Sequence, residues 1–217
     1  MPGAVTRTGG VRVREFVRLL RAADKTGAAR FVQEVFTQTG SRVALFADLI
    51  HPAQYEIGDL WYRGEIGIAD EHQATAIVEE ITSALPPTPA QDRSPQGRCI
   101  LAAVGGEQHV VGLRLLAAAL EDDGWEVTLL GGRTPSTELV EIVRKRRPIF
   151  VGLSAAYLPR PDALERTIKE LKEQRVPVLV GGPAFNRNLS LWTKLGADGH
   201  GSDVRVAVAL ARRIAAA

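Results

Sequence analysis

The second half of the chain alternates between short apolar runs and longer stretches with helical periodicity. Apolar runs of strand length lie near 99–104, 126–130, 149–154 and 176–180, with a short fifth run at 197–199. Stretches with the spacing of amphipathic helices follow them near 110–123, 136–147, 161–174 and 202–215. Strands that alternate with helices pair in parallel, because each helix carries the chain back to the starting edge of the sheet. The alternation predicts a Rossmann-like, doubly wound parallel sheet over 98–217.

The first half of the chain contains no convincing strand. Apolar residues recur at helical spacing within 11–20, 28–36 and 69–85. Two glycines, Gly64 and Gly67, separate the last two helices. This pattern predicts a small helical bundle over 1–85, followed by the α/β sheet domain.

The segment 86–97 connects these two halves. It is rich in prolines and polar residues, which neither continue a helix nor pair in the middle of a sheet. We therefore expect a helical cap domain at 1–85, a linker at 86–97 and a sheet domain at 98–217.

Charge argues against a nucleic-acid-binding surface. The 27 Lys and Arg against 25 Asp and Glu give a formal net charge of +2, which is mild for such a surface. The one basic run, 144–147, ends a predicted helix, where cations suit the helix dipole. Residues 1–10 leave no room for a DNA-binding domain before the first predicted helix. We expect no direct contact with nucleic acid, and instead a protein partner or a homo-oligomer.

Cysteine usage and hydropathy indicate the cellular compartment. The single cysteine, Cys99, lies inside a predicted strand. It is expected to be a small buried apolar residue and not to form a disulfide or act as a reactive thiol. No charged leader followed by an apolar stretch and no run of 18 apolar residues is present. These features predict a cytoplasmic protein without membrane contact.

A glycine-flanked loop directly after the first predicted strand places a carboxylate two positions before a histidine. Its sequence is Glu107-Gln108-His109-Val110-Val111-Gly112. Ligands of open α/β sheets bind outside the carboxyl ends of the strands, where this loop begins. Imidazole is the commonest protein metal ligand, and a carboxylate such as Glu107 would fix its tautomer. A lone histidine in a surface loop is usually structural, so the loop alone leaves both interpretations open.

Two further motifs follow in the same half: Ser154 at the end of a predicted strand, and Gly181-Gly182 after the next. Together with Glu107-x-His109-x-x-Gly112 they resemble the cobalamin-binding domain of methionine synthase and corrinoid proteins. The resemblance implies that His109 is the lower axial ligand of cobalt. It also implies that Ser154 bonds the displaced dimethylbenzimidazole, while the glycine pair admits the nucleotide tail.

The chain departs from that family pattern in two places. Glu107 stands where the family has aspartate, which lengthens the side chain by one methylene and keeps its chemistry. Ala156 stands where the serine motif usually has leucine, which weakens packing against the tail. His200 lies in a glycine-rich segment expected to form a turn after the last strand. It either contacts the nucleotide tail or only occupies the turn.

In the helical half, Trp61 is followed after nine residues by Glu71-His72. This spacing resembles the cap of adenosylcobalamin-dependent light sensors of the CarH and LitR type. The resemblance implies that a four-helix cap covers the upper face of the corrin, with Trp61 and Glu71 packed around the adenosyl group and His72 nearby. The alternative is structural, because a tryptophan in a bundle is usually core and a Glu-His pair is usually a solvated face.

A third departure lies next to Trp61. The light sensors carry a histidine directly after this tryptophan, and it becomes the upper cobalt ligand after photolysis, whereas this chain has Tyr62. Ligation by two histidines after illumination would require His72 or His51. His51 precedes Pro52, so it is also expected to be a helix-boundary residue.

Two functions from different classes compete. The first, which we favour, is a sensory or regulatory protein in which light removes the upper ligand of adenosylcobalamin and the cap then alters protein contacts. The second is a corrinoid methyl carrier, a subunit of a methyltransferase system. A carrier must expose its cobalt to other enzymes, which disfavours a bulky Trp61 beside Glu71-His72. A noncovalent bilin as a second chromophore, as in the photocobilins, is a further family-level expectation.

Overall fold

The structure is a computed structural model that describes residues 7–88, 94–104 and 109–216. The chain divides into two compact units, residues 1–88 and 89–217. The predicted linker at 86–97 spans this division, although residues 89–93 lie outside the described part. The domain boundaries given above stay predictions.

The described residues of the first unit form helices joined by turns, without a strand. Its elements are α1 (Arg7–Arg21), α2 (Lys25–Thr39), α3 (Arg42–Leu45), a π-helical turn (Phe46–Ile50), α4 (His51–Tyr62) and α5 (Ile68–Ser83). The segment from α3 through α4 keeps helical backbone angles and forms one long helix, so four helices make up this unit. Their apolar faces meet in a core that includes Phe16, Phe46, Ile50 and Val78. The predicted four-helix bundle is confirmed.

The π-helical turn lies directly before Pro52. Proline lacks a backbone N–H, and its ring crowds the carbonyl four residues earlier, here that of Asp48. The backbone N–H of His51 instead bonds the carbonyl of Phe46, five residues back. This wider turn lets the helix pass the proline without breaking. His51 is the first residue of α4, where the π-helical turn continues into the α-helix, and its ring packs edge-on against Tyr55 with the centroids 4.6 Å apart.

The turn between α4 and α5 is fixed by local hydrogen bonds. Gly64 takes a left-handed φ of +72°, which a residue with a side chain rarely adopts. The backbone N–H of Gly67 donates to Asp70 Oδ2 at 2.8 Å, which caps the start of α5. The end of α4 and the start of α5 are therefore held in a defined position relative to each other.

The second unit contains a parallel sheet of five strands among its described residues. The strands are β1 (Gly97–Ala103), β2 (Trp125–Gly131), β3 (Phe150–Ser154), β4 (Val178–Gly181) and β5 (Gly199–Gly201). Their order is β2-β1-β3-β4-β5. The helices are α6 (Val111–Asp122), α7 (Ser136–Arg146), α8 (Pro161–Glu173), α9 (Pro183–Arg187), α10 (Leu191–Lys194) and α11 (Val204–Ala215). The predicted doubly wound parallel sheet is confirmed, and the short helices α9 and α10 were not predicted.

The fifth strand begins two residues later than predicted. Asp198 ends the connection before it: its backbone N–H donates to the Val178 carbonyl at 2.8 Å, and its side chain accepts from the Val178 N–H at 2.9 Å. Pairing with β4 then starts at Gly199, opposite Leu179. A Cβ on Gly199 would lie 2.8 Å from Leu179 Cδ2, so glycine permits this close approach.

Alternate strand residues face the two layers of helices. Ile100, Ala102, Val151, Leu153 and Val180 belong to the core that also contains side chains of α7 and α8. The opposite face lies under α6 and α11, since a Cβ on Gly201 would meet Ala207 of α11. Cys99 is buried in β1, and burial raises the pKa of its thiol to about 12, so it stays protonated and unreactive at neutral pH. No helix in the described part of the chain is long and apolar enough to cross a membrane.

Candidate functional site

The strand order places a crevice at the carboxyl ends of β1 and β3. From β1 the chain runs outward to β2 and then returns to the other side of β1, so its connections diverge between these neighbouring strands. The backbone N–H of Val104 donates to the Ser154 carbonyl at 3.0 Å and closes the floor of this crevice. Ligands of open α/β sheets bind at such a point.

Four small residues lie in one row along the carboxyl edge of the sheet. Ala103 pairs with Ser154, Ser154 with Gly181, and Gly181 with Gly201. Directly paired residues of neighbouring parallel strands point to the same face, here the face of α6 and α11. These residues are small because the protein packs closely against them: a Cβ on Gly201 would lie 2.8 Å from Ala207 Cβ of α11.

Ser154 is the polar member of this row. It is half-buried at the end of β3, and its hydroxyl makes no hydrogen bond with the described residues. The backbone N–H of the next residue, Ala155, donates to the Gly181 carbonyl at 3.1 Å, which ties this strand end to β4. The Ser154 hydroxyl can therefore serve a bound molecule.

The glycine pair is required by close backbone contacts. Gly182 has a φ of +97°, and a Cβ there would lie 2.5 Å from the Ala155 carbonyl oxygen and 3.1 Å from Ser154 Oγ. A Cβ on Gly181 would lie 3.0 Å from the Gly201 carbonyl oxygen. Only glycine lets the chain after β4 pass this close to the end of β3.

We expect Gly182→Ala to lower the free energy of unfolding by about 1–3 kcal/mol, because it adds both backbone strain and a steric clash. Urea denaturation measures this change. Gly112→Ala is the matched control: Gly112 lies in the first turn of α6, and a Cβ there meets nothing within 4 Å. Alanine in that helix should leave stability unchanged or raise it. Equal losses in the two variants would contradict the close-contact explanation.

His109 lies just before α6 and its side chain is exposed. It therefore stands at the carboxyl side of β1, next to the crevice. Residues 105–108, including Glu107, lie outside the described part of the chain, so the pairing of Glu107 with His109 stays a prediction. Gly112 follows in the first turn of α6 with open space around its Cα.

His200 lies inside β5 and not in a turn after the last strand, so that prediction was wrong. Gly199, His200 and Gly201 form a short strand, although a glycine-rich sequence is more typical of a turn. His200 pairs with Val180, and its Nε2 lies 2.8 Å from Asn186 Oδ1. Asn186 in turn donates through Nδ2 to the Ser202 carbonyl at 2.9 Å, which leaves its Oδ1 to accept from the imidazole. Burial lowers the pKa of His200, so the ring is neutral at pH 7.

In the helical unit, aromatic and apolar side chains are exposed where α4 ends and α5 begins. Trp61 is 45% exposed, Tyr62 85% and Ile68 57%. Trp61 is therefore not a core residue of the bundle, and the structural alternative for it fails. Large exposed apolar side chains at one end of a domain are typical of a binding surface.

The two residues of the Glu71-His72 pair differ in exposure and in hydrogen bonding. The Glu71 side chain is only 15% exposed, whereas that of His72 is 69% exposed. Glu71 Oε1 accepts a hydrogen bond from Thr75 Oγ1 at 2.9 Å, and Thr75 Oγ1 accepts from Gln54 Nε2 at 3.2 Å. His72 Nε2 lies 3.7 Å from Glu71 Oε2. Glu71 is thus held in place and is not a freely solvated carboxylate.

Gln54 and Thr75 were not among the site residues predicted from the sequence. Helical spacing was the available signal, since Gln54 precedes Trp61 by seven residues and Thr75 follows Glu71 by four. Residues at these separations share a helix face. The hydrogen bond that joins the two faces became visible only in the folded unit.

Comparison with known proteins identifies both halves. Two families described as B12 binding domain match residues 97–209 and 13–85. The HTH-type transcriptional repressor CarH of Myxococcus xanthus is 31% identical over 153 residues, which cover 69% of this chain and 50% of the repressor. The methionine synthase of Mycobacterium tuberculosis is 26% identical over 138 residues, covering 61% of this chain and 12% of the synthase. This chain therefore spans at most half of either relative.

Among solved structures, the monomethylamine corrinoid protein of Methanosarcina barkeri superposes with a TM-score of 0.78 at 18% sequence identity. The superposition covers 92% of this chain and 96% of that protein, and it shows a shared fold. The family match over 97–209 includes 113 of the 217 residues, more than half of the chain. It contains the crevice between β1 and β3, the row of small residues and His109. The protein therefore belongs to the B12 binding domain family and is a cobalamin-binding protein that resembles CarH-type regulators.

Proposed function

We propose that this protein is a sensory regulator that binds adenosylcobalamin and changes its protein contacts when light removes the upper cobalt ligand. The observation that carries this proposal is the partly exposed Trp61 at the end of α4, together with a Glu71 that a hydrogen bond holds in the first turn of α5. A rigid aromatic wall beside an ordered acceptor suits a nucleoside, which has a flat base and ribose hydroxyls. The 31% identity to CarH supports the same choice.

The residues of the sheet unit fit the lower half of cobalamin. His109 is exposed at the carboxyl side of β1 and would ligate cobalt. Ser154 has a hydroxyl without a partner among the described residues, and it would bond the displaced dimethylbenzimidazole. The nucleotide tail would run past the row of small residues, with Gly181 and Gly182, at the carboxyl edge of the sheet. His200 is bonded to Asn186, so any contact with the tail would come from the remainder of its ring.

Three residues of the helical unit would contact the adenosyl group. Trp61 would supply the apolar wall, Glu71 the hydrogen-bond acceptor, and His72 an imidazole within reach of the same carboxylate. When bound, adenosylcobalamin supplies a cobalt–carbon bond that visible light breaks. The residues around the upper ligand then lose their packing partner, which alters the surface that the unit presents. We propose that a protein regulator or a second copy of this chain reads that surface.

Two further features belong to this proposal. Tyr62 is 85% exposed and cannot ligate cobalt as an imidazole does, so a second histidine ligand after illumination would be His72 or His51. A noncovalent bilin would act as a second chromophore without needing a cysteine. The buried Cys99 thiol is compatible with a reducing cytoplasm.

The second candidate is a corrinoid methyl carrier. One observation favours it: Trp61, Tyr62 and Ile68 are exposed where α4 ends and α5 begins, which suits contact with a partner enzyme. In that role the exposed end of α4 would meet a partner methyltransferase. The ordered Glu71 would then have no nucleoside to recognise.

Absorption and size measurements distinguish the two candidates. We expect the adenosylcobalamin-loaded protein to lose its alkylcobalamin spectrum in green light and to change its hydrodynamic size or its affinity for a regulator. Spectra and size-exclusion chromatography with light scattering, in darkness and after illumination, measure both. Identical size profiles together with methyl transfer from the bound corrin to an added acceptor enzyme would overturn the sensor proposal and favour the carrier.

A further inference from the structure

A chain of hydrogen bonds joins α5 to α4, the helix that carries Trp61 near its end. Gln54 Nε2 donates to Thr75 Oγ1 at 3.2 Å, and Thr75 Oγ1 donates to Glu71 Oε1 at 2.9 Å. Gln54 and Trp61 share a face of α4, while Thr75 lies one turn after Glu71 on α5. The chain therefore links the glutamate proposed to meet the upper ligand to the helix that carries the tryptophan.

The chemistry of the three groups fixes the direction of these bonds. The ionised Glu71 accepts only, so the single proton of the Thr75 hydroxyl must point to it. The Thr75 oxygen then needs a donor, which the amide of Gln54 provides. In the opposite amide orientation, Gln54 Oε1 would face the Thr75 oxygen, whose only proton already points to Glu71. Gln54 Oε1 is instead buried without a hydrogen-bond partner among the described residues, a cost that the bond to Thr75 offsets only in part.

The two oxygens of Glu71 consequently differ. Oε1 is held by Thr75, whereas Oε2 lies 3.7 Å from His72 Nε2, beyond a normal hydrogen-bond distance. An ionised carboxylate oxygen accepts more than one hydrogen bond. The arrangement holds the carboxylate by one oxygen and leaves the other available to a ligand, which reduces the entropy lost on binding.

We infer that Thr75 is a positioning residue that determines specificity for the upper ligand. The amide of Gln54 orients the hydroxyl proton of Thr75, and Thr75 in turn fixes the Glu71 carboxylate. The fixed carboxylate favours an upper ligand with vicinal hydroxyl donors, such as the ribose of an adenosyl group, over a simple alkyl group. This inference rests on the proposed adenosylcobalamin-binding function and adds two residues that no motif contains.

The test compares the dissociation constants of adenosylcobalamin and methylcobalamin, measured in darkness on the full chain. Thr75→Val has nearly the same shape but lacks the hydroxyl. We expect it to reduce the preference for adenosylcobalamin by about tenfold, the usual effect of losing a charge-assisted hydrogen bond. Thr75→Ser keeps the hydroxyl and should restore the preference. Affinity for methylcobalamin should stay within about twofold in both variants, because a methyl group has no donor for Glu71.

A second substitution covers the case in which Thr75→Val folds poorly. Gln54→Met removes the amide donor and keeps the length of the side chain, and it should lower the preference in the same direction. A purely structural role for Thr75 would lower the affinity for both cobalamins equally and would overturn the inference. Unchanged preference in Thr75→Val and Gln54→Met would also overturn it, while leaving the proposed function standing. A wild-type protein with no preference for adenosylcobalamin would overturn both.

Discussion

Replacing His109 with alanine is expected to abolish ligation of cobalt by the protein and to weaken cobalamin binding by about a hundredfold or more. His109 lies between β1 and α6, two residues before that helix begins, and its side chain is exposed. In the variant, dimethylbenzimidazole or water would take the lower position, since the cofactor carries its own base. The absorption spectrum reports the change of ligand, and titration with cobalamin reports the affinity.

The other histidines provide controls for this prediction. His72 is 69% exposed in the helical unit, and His72→Ala should keep the wild-type lower-ligand spectrum. Glu107→Gln should weaken binding less than His109→Ala, by roughly tenfold to a hundredfold, as changes in residues that orient a metal ligand usually do. A His109→Ala protein with unchanged spectrum and affinity would show that another group ligates cobalt.

The sheet unit could be predicted from the sequence because strands that are buried on both faces are apolar at consecutive positions. Strands β1, β3 and β4 are continuous apolar runs, as expected for a parallel sheet covered by helices. The fifth strand was misplaced because Gly199-His200-Gly201 carries no apolar pattern. Its position depends on Asp198 bonding the backbone of Val178, a contact between residues 20 apart in sequence.

Part of the candidate site could be predicted from the sequence, and part of it could not. Ser154 and Gly182 were predicted from local motifs, and the structure supplies the physical reason for the glycine: a Cβ there would lie 3.1 Å from Ser154 Oγ and 2.5 Å from the Ala155 carbonyl oxygen. The row Ala103, Ser154, Gly181 and Gly201 could not be predicted, because it depends on the register of four strands. Register is set by the packing of whole strands and not by any single residue.

Trp61→Ala is expected to blunt the light response while sparing cobalamin binding. The indole is 45% exposed at the end of α4, so its loss removes contact area for a ligand without opening a cavity in the bundle core. The lower-ligand residues lie in the other unit and are unchanged, which is why affinity should stay close to that of the wild type. A smaller residue no longer packs on the adenosyl group, so departure of that group changes the surrounding surface less.

Two substitutions at adjacent positions separate this packing role from general effects on the end of α4. Trp61→Phe keeps an aromatic ring and should retain most of the light-dependent change in hydrodynamic size or regulator affinity, because a flat apolar wall remains. Tyr62→Phe alters a neighbouring side chain that is 85% exposed and should respond as the wild type does. Size-exclusion chromatography with light scattering, in darkness and after green light, compares the variants. A full light response in Trp61→Ala would mean that the signal arises elsewhere in the protein, because the indole would then contribute nothing to the difference between the two states.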